Sequence, residues 1–294
     1  MTASPSPGPG AGPGALSATG GSGGHRALFP LACSRLPPEL QDNLRILSDY
    51  AATLRTIADH PALEPARKEE RLKALAAAIQ GESGEGAADP GVRAALNLRH
   101  LLESRNLDMR DPWQMLQSAG LDLTKSRYPD WSDLLAWCRY WAAPMGRMVL
   151  RFSGGDDNAL DKAAGFTIGA ELLFLVERAP VHYRWLDRVY LPQRWFREAG
   201  CDIDALGAAR ASPELRQVFI RAVGEARRLI DSAAGLEGAF PTRRHRIAAA
   251  TARAEALAWA GALERGDLIA GVSGPGFVVR IGIGMAGMLG GMRS

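Results

Sequence analysis

Cysteine is scarce in this chain. Its 294 residues hold three, Cys33, Cys138 and Cys201, an odd number with no pair at zinc-site or redox-motif spacing. That excludes a disulfide scaffold and leaves reduced thiols in a cytoplasmic protein as the expectation. Charge of one sign is lacking as well: 35 basic residues stand against 32 acidic ones, a net +3. No basic block is dense enough to argue for nucleic acid. No run of eighteen uninterrupted apolar residues occurs, so no spanning helix is expected. The nearest approach, over 268–291, is interrupted by Arg280 and diluted with glycine. It is expected to be a loosely packed C-terminal helix, with peripheral contact to the inner membrane as the other reading. The N-terminus shows no basic segment followed by an apolar run, so no secretory signal is expected. Alternating β-branched runs are missing too, which argues against a sheet.

What is present is helical periodicity. Leu40, Leu44 and Leu47 recur at three- and four-residue spacing, as do Leu72, Leu75 and Ile79. The same habit predicts helices over 93–107, 131–152, 159–178, 213–233 and 242–265, with Ser212 and Pro213 as a cap and first turn. Residues 1–27 are mostly Gly, Pro, Ser, Ala and Thr, too poor in large apolar side chains to offset their ordering entropy, and are expected to be a disordered tail. A second glycine-rich break over 81–90 reads as a loop. The expected organisation is therefore a tail at 1–27, one all-α domain at 28–270, and a glycine-rich apolar segment at 271–294.

Four stretches, in order, carry a resemblance. They are Phe29 to Pro38; Ile57 to Leu63; Leu121 to Trp131 running on into Leu134 to Arg147; and Tyr183 to Pro192, which includes Arg188-Val-Tyr-Leu-Pro192, followed by Trp195 and Ala199-Gly200. Together they resemble the squalene/phytoene synthase family, in particular its bacterial hopanoid-pathway, hydroxysqualene-synthase-like branch. The resemblance implies an all-α isoprenoid-synthase fold around a central cavity and farnesyl-derived diphosphate substrates, farnesyl or presqualene diphosphate. It also implies magnesium held by two Asp-x-x-x-Asp motifs. A spacing of four places both carboxylates of a motif on one helix face, and magnesium takes such hard oxygen ligands.

This chain departs from that pattern. The first motif reads Arg55-Thr-Ile-Ala-Asp59, with Asp59 alone retained, and the second has Arg178 and His182 at its aspartate positions with Pro180 between them. A proline there is expected to bend or end the helix. Trp137 stands where most of the family has tyrosine. A guanidinium about 4 Å from a divalent cation is repelled by roughly 8 kcal/mol at an effective dielectric of about 20, so no metal or other cofactor is expected to bind. Asp59, Glu177 and Tyr140 are the remnants of catalytic equipment. The resemblance implies diphosphate contacts at Ser34, Arg35 and Arg188. Arg127 and Tyr128 match the motif too, with core packing the other reading for Tyr128. Arg55 and Arg178 could hold diphosphate without metal, or could pair with Asp59, Glu171 or Glu177. His182, Glu177 and Asp59 read as polar pairing rather than a transition-metal site. The scattered tryptophans, Trp185 among them, fit core or cavity lining. Three functions follow as expectations: a prenyl-binding member impaired in catalysis and acting beside other pathway proteins, an active synthase converting presqualene diphosphate to hydroxysqualene, or a scaffold on the same fold.

Overall fold

The computed structural model describes residues 36–82 and 88–270. Ser34 and Arg35, the tail at 1–27 and the segment at 271–294 lie outside the described residues, as do residues 83–87 of the 81–90 loop. Among the described residues there are nine α-helices and no strand: α1 Pro38–Ala58, α2 Pro65–Gln80, α3 Pro90–Ser104, α4 Arg110–Leu121, α5 Trp131–Phe152, α6 Leu160–Leu186, α7 Gln193–Ala199, α8 Pro213–Ser232 and α9 Arg243–Arg265. None of these helices is long and apolar enough to cross a membrane.

The starts of these helices are written in the sequence. Proline opens α1, α2, α3 and α8, where its missing N–H costs nothing. The side chains of Asp89, Asp130, Ser212 and Thr242 accept first-turn N–H groups of α3, α5, α8 and α9. The α1 helix buries Leu40, Leu47, Ala51, Leu54 and Ala58 along one stripe. Central α6 buries side chains around most of its circumference because α5 and α8 pack on it from two sides.

Two glycines permit this close packing. A Cβ on Gly146 of α5 would lie 2.3 Å from the carbonyl oxygen of Ala163 in α6. One on Gly169 of α6 would lie 2.8 Å from that of Ala226 in α8. The sequence reading fails at Pro180, which does not end α6: the helix runs unbroken to Leu186. Tertiary packing holds the turns beyond the lost hydrogen bond, as it does around Pro144 inside α5. The actual stop is Asp187 in the left-handed region (φ 46°), whose N–H donates to the carbonyl of His182. This reversal sends the chain back as an extended segment. There Val189 N–H donates to Ser126 O at 2.9 Å and Gln193 N–H to Tyr128 O at 2.9 Å.

Candidate ligand site

The site forms where four chain segments meet. The last turn of α1 brings Arg55 and, at the helix end, Asp59. The end of α4 supplies Asp122, and α6 supplies Glu171. The extended segment after α6 contributes Arg188 and Tyr190, two residues apart and therefore on one side of the chain.

Arg55 is enclosed. Its Nη1 donates to Asp122 Oδ2 at 2.8 Å and to the Tyr190 hydroxyl at 2.9 Å, and its Nη2 lies 3.5 Å from Glu171 Oε1. The Trp141 and Trp137 rings flank the guanidinium, with centroids 4.2 and 4.9 Å from its central carbon. Arg188, also buried, donates to Asp59, to the Tyr190 hydroxyl at 3.2 Å and to the Asp122 carbonyl at 2.8 Å. Tyr190 in turn donates to Asp122 Oδ2 at 3.0 Å, and Tyr128 reaches Asp122 Oδ1 at 3.4 Å. Burial opposes the Arg55 charge, but Tyr190, Asp122, Asp59 and Glu171 more than offset it and the group stays cationic. Burial raises the Asp122 carboxyl, against the pull of Arg55 and Arg188. Burial also pushes the Glu171 carboxyl up to about 7, with Arg55 and a hydrogen bond from Trp141 working the other way. His182, facing Tyr190 edge-on with ring centroids 5.4 Å apart, is brought down to about 3, chiefly by burial. It is a neutral imidazole.

Other residues singled out in the sequence lie elsewhere. Arg178 is exposed, its guanidinium carbon 5.9 Å from the Phe174 ring, so it does not join Arg55 in one cavity. Glu177 turns toward Trp259 rather than toward Asp59. Tyr140 is 42% exposed and Trp185 61% exposed, so neither lines a cavity. For both, the cause is helix phase: Trp137 and Trp141 take the inward face of α5, while Val181 and Trp185 share an outward face of α6. Arg127 is spent on the carboxylate and carbonyl of Asp187. Tyr128 is fully buried and stacks on Tyr190 with centroids 5.4 Å apart. Sequence reasoning passed over Asp122 and Tyr190 as site residues, although both lie inside the motif stretches.

Beside this network lies an apolar cavity of about 210 Å³ between α1, α5, α6 and α9. Its wall includes Leu40, Leu47, Met145, Phe166 and Phe240, with Glu171 marking the side toward Arg55. This exceeds the roughly 150 Å³ that admits a benzene ring to an engineered apolar cavity.

The model of the family described as squalene/phytoene synthase matches residues 23–269. The chain belongs to that family. Hydroxysqualene synthase of Rhodopseudomonas palustris is 31% identical over 187 residues, a match covering 64% of this chain and 62% of that enzyme. Among solved structures, squalene synthase HpnC from Alicyclobacillus acidocaldarius aligns with a TM-score of 0.67 at 24% identity, covering 83% of this chain and 90% of the other. A dehydrosqualene synthase in complex with ligand aligns at 0.77 and 16% identity, covering 91% and 93%. These structural likenesses establish the isoprenoid-synthase fold of the family. Magnesium chemistry is typical of squalene/phytoene synthases. Among the described residues no three His, Cys, Asp or Glu side chains are grouped to hold a metal. Asp59, Asp122 and Glu171 instead gather around two guanidiniums, with Arg55 against Asp122 and Glu171 and Arg188 against Asp59.

Proposed function

We propose that this squalene/phytoene synthase family protein binds an isoprenoid chain in its apolar cavity and does not assemble the family's magnesium cluster. The observation that carries this reading is the Arg55 guanidinium, bonded to Asp122 and Tyr190 and facing Glu171, on the helix face where the family's first aspartate belongs. A fixed internal cation there neutralises the carboxylates that a divalent ion would otherwise recruit. Arg55 is also poorly placed to take a diphosphate in its own right, because its Nη1 is bonded to Asp122 and Tyr190 and the Trp141 and Trp137 rings lie against its guanidinium. The domain concerned spans 28–270. Contact with other squalene- or hopanoid-forming proteins, and peripheral contact with the membrane, belong to the same reading.

A second reading is an active synthase acting on presqualene diphosphate. It draws support from the three neighbouring carboxylates and from the relatives named hydroxysqualene synthase. One experiment separates the two: titrate the full chain with a non-hydrolysable farnesyl diphosphate with and without magnesium, and assay farnesyl and presqualene diphosphate turnover. Binding unchanged by magnesium, with no product, is expected. Magnesium-dependent binding or robust product formation overturns the proposal in favour of the active synthase.

A further inference from the structure

The last turns of α6 carry an outward stripe. Phe174, Arg178, Val181 and Trp185 follow one another at four-, three- and four-residue spacing, which puts them on one side of the helix. Phe174 is half-buried and the other three are exposed, Val181 at 37% and Trp185 at 61%. Of the seven tryptophans in the chain, Trp185 alone is exposed. Aromatic and aliphatic surface left side by side in water, against the hydrophobic effect, marks an interaction face.

What surrounds the stripe narrows the partner. Arg178 holds its guanidinium carbon 5.9 Å from the Phe174 ring, and exposed Arg184 donates to the Ala208 carbonyl at 3.0 Å. Three residues on, at most about 11 Å of backbone, Ala211 N–H donates to Asp267 Oδ1 at 3.2 Å, and the same oxygen accepts from Ile269 and Ala270. The described chain therefore ends, at Ala270, beside this end of α6. Its continuation over 271–294 includes Phe277, Val278, Val279, Ile281 and Ile283, two arginines, and no aspartate or glutamate. The core of a protein–protein interface is depleted of charge, whereas here a cation stands within the apolar stripe. Apolar side chains mixed with cations of one sign suit an anionic bilayer, which takes the former into its interface and draws the latter to its head groups.

Extending the membrane contact of the reading above, we propose that the face of α6 around Val181 and Trp185 docks on a bilayer of anionic lipid. Trp185 enters the interface, and Arg178 and Arg184 meet the head groups. The test mixes the full chain with phosphatidylcholine vesicles, with and without phosphatidylglycerol, carrying brominated acyl chains that quench tryptophan on contact. Vesicles with phosphatidylglycerol are expected to bind at least tenfold tighter than those without, equivalent to about 1.4 kcal/mol, and to quench part of the fluorescence. Raised salt should erase that preference. Trp185→Phe should bind as the wild type does yet lose the quenching, and Trp185→Ser should weaken binding about tenfold. Arg178→Ala combined with Arg184→Ala should cut the anionic preference at least about fivefold. All three positions are exposed, so thermal melting should show these variants folded. Equal binding to the two kinds of vesicle overturns the inference, as does quenching that persists undiminished in Trp185→Phe. A dimer that Trp185→Ser dissociates, or quenching that appears only once residues 271–294 are removed, overturns it too, because a second copy or the chain's own end then covers the face. Failure of the diphosphate-analogue titration above overturns the chain-binding reading and leaves this one standing; failure of vesicle binding alone does the reverse.

Discussion

Helix α4 carries a buried aspartate at each end, and each lies under two arginines. At the start, Asp111 accepts from Arg147 Nε at 2.7 Å and from Arg151 Nη1 at 3.3 Å, while Arg147 also reaches Gln114. At the finish, Asp122 is held by Arg55, Arg188, Tyr190 and Tyr128. Asp111 stands where the helix dipole favours a negative charge, and Asp122 where it opposes one. The two arginines of Asp111 come from successive turns of α5 and keep 22% and 24% of their side-chain surface in water. Those of Asp122 come from segments far apart in sequence, Arg55 in α1 and Arg188 after α6, and lie deeper, at 18% and 7%. The first cluster ties two neighbouring helices together. The second places a carboxylate where local structure disfavours it, next to a cavity, and ringed with aromatic side chains. That is the arrangement of a site rather than of a brace.

Breaking the two ends should therefore cost different amounts. Asp122→Ala leaves two deeply buried guanidiniums short of a partner and should cost about 4 kcal/mol in denaturant unfolding. Glu171 adds a pH dependence. Its folded-state carboxyl is raised to about 7 from an ordinary 4.5, so its contribution is fully present below about 4.5 and is lost as pH rises through 7. That is a loss on the order of 3 kcal/mol, which Glu171→Gln should remove when melting is compared at pH 5 and pH 8. Asp111→Ala should cost about 2 kcal/mol, because its arginines can rehydrate.

The contrast sharpens if the internal cation is reversed. Arg55→Asp adds a carboxylate to Asp59, Asp122 and Glu171, and magnesium at ten times its Kd should then stabilise the variant by about 1.4 kcal/mol. The wild type should not respond. Tyr140→Ala, on the exposed side of α5, should shift stability by no more than about 0.5 kcal/mol.

Much of the fold was legible because helix starts are local events. Apolar spacing placed α3, α5, α8 and α9 within a few residues, and Ser212 with Pro213 marked the start of α8. The end of α6 was not legible: Pro180 signals a stop that packing against α5 and α8 overrides, and Asp187 carries no strong local mark. For the site, the motif stretches contained Asp59, Asp122, Arg188 and Tyr190 but not Glu171, and Arg55 finds its partners 67 and 135 positions away at Asp122 and Tyr190. One-dimensional spacing cannot convey such pairings. Nor can it show that Arg178, four residues from His182, points outward while Arg55 is boxed in.

The crossing of α5 over α6 at Gly146 reaches beyond packing. Gly146, Ala163 and Thr167 all belong to the cavity wall, so the bore available to a guest is gauged by a single absent methyl group. Any side chain at that position would wedge α5 and α6 apart and recalibrate which chains can enter.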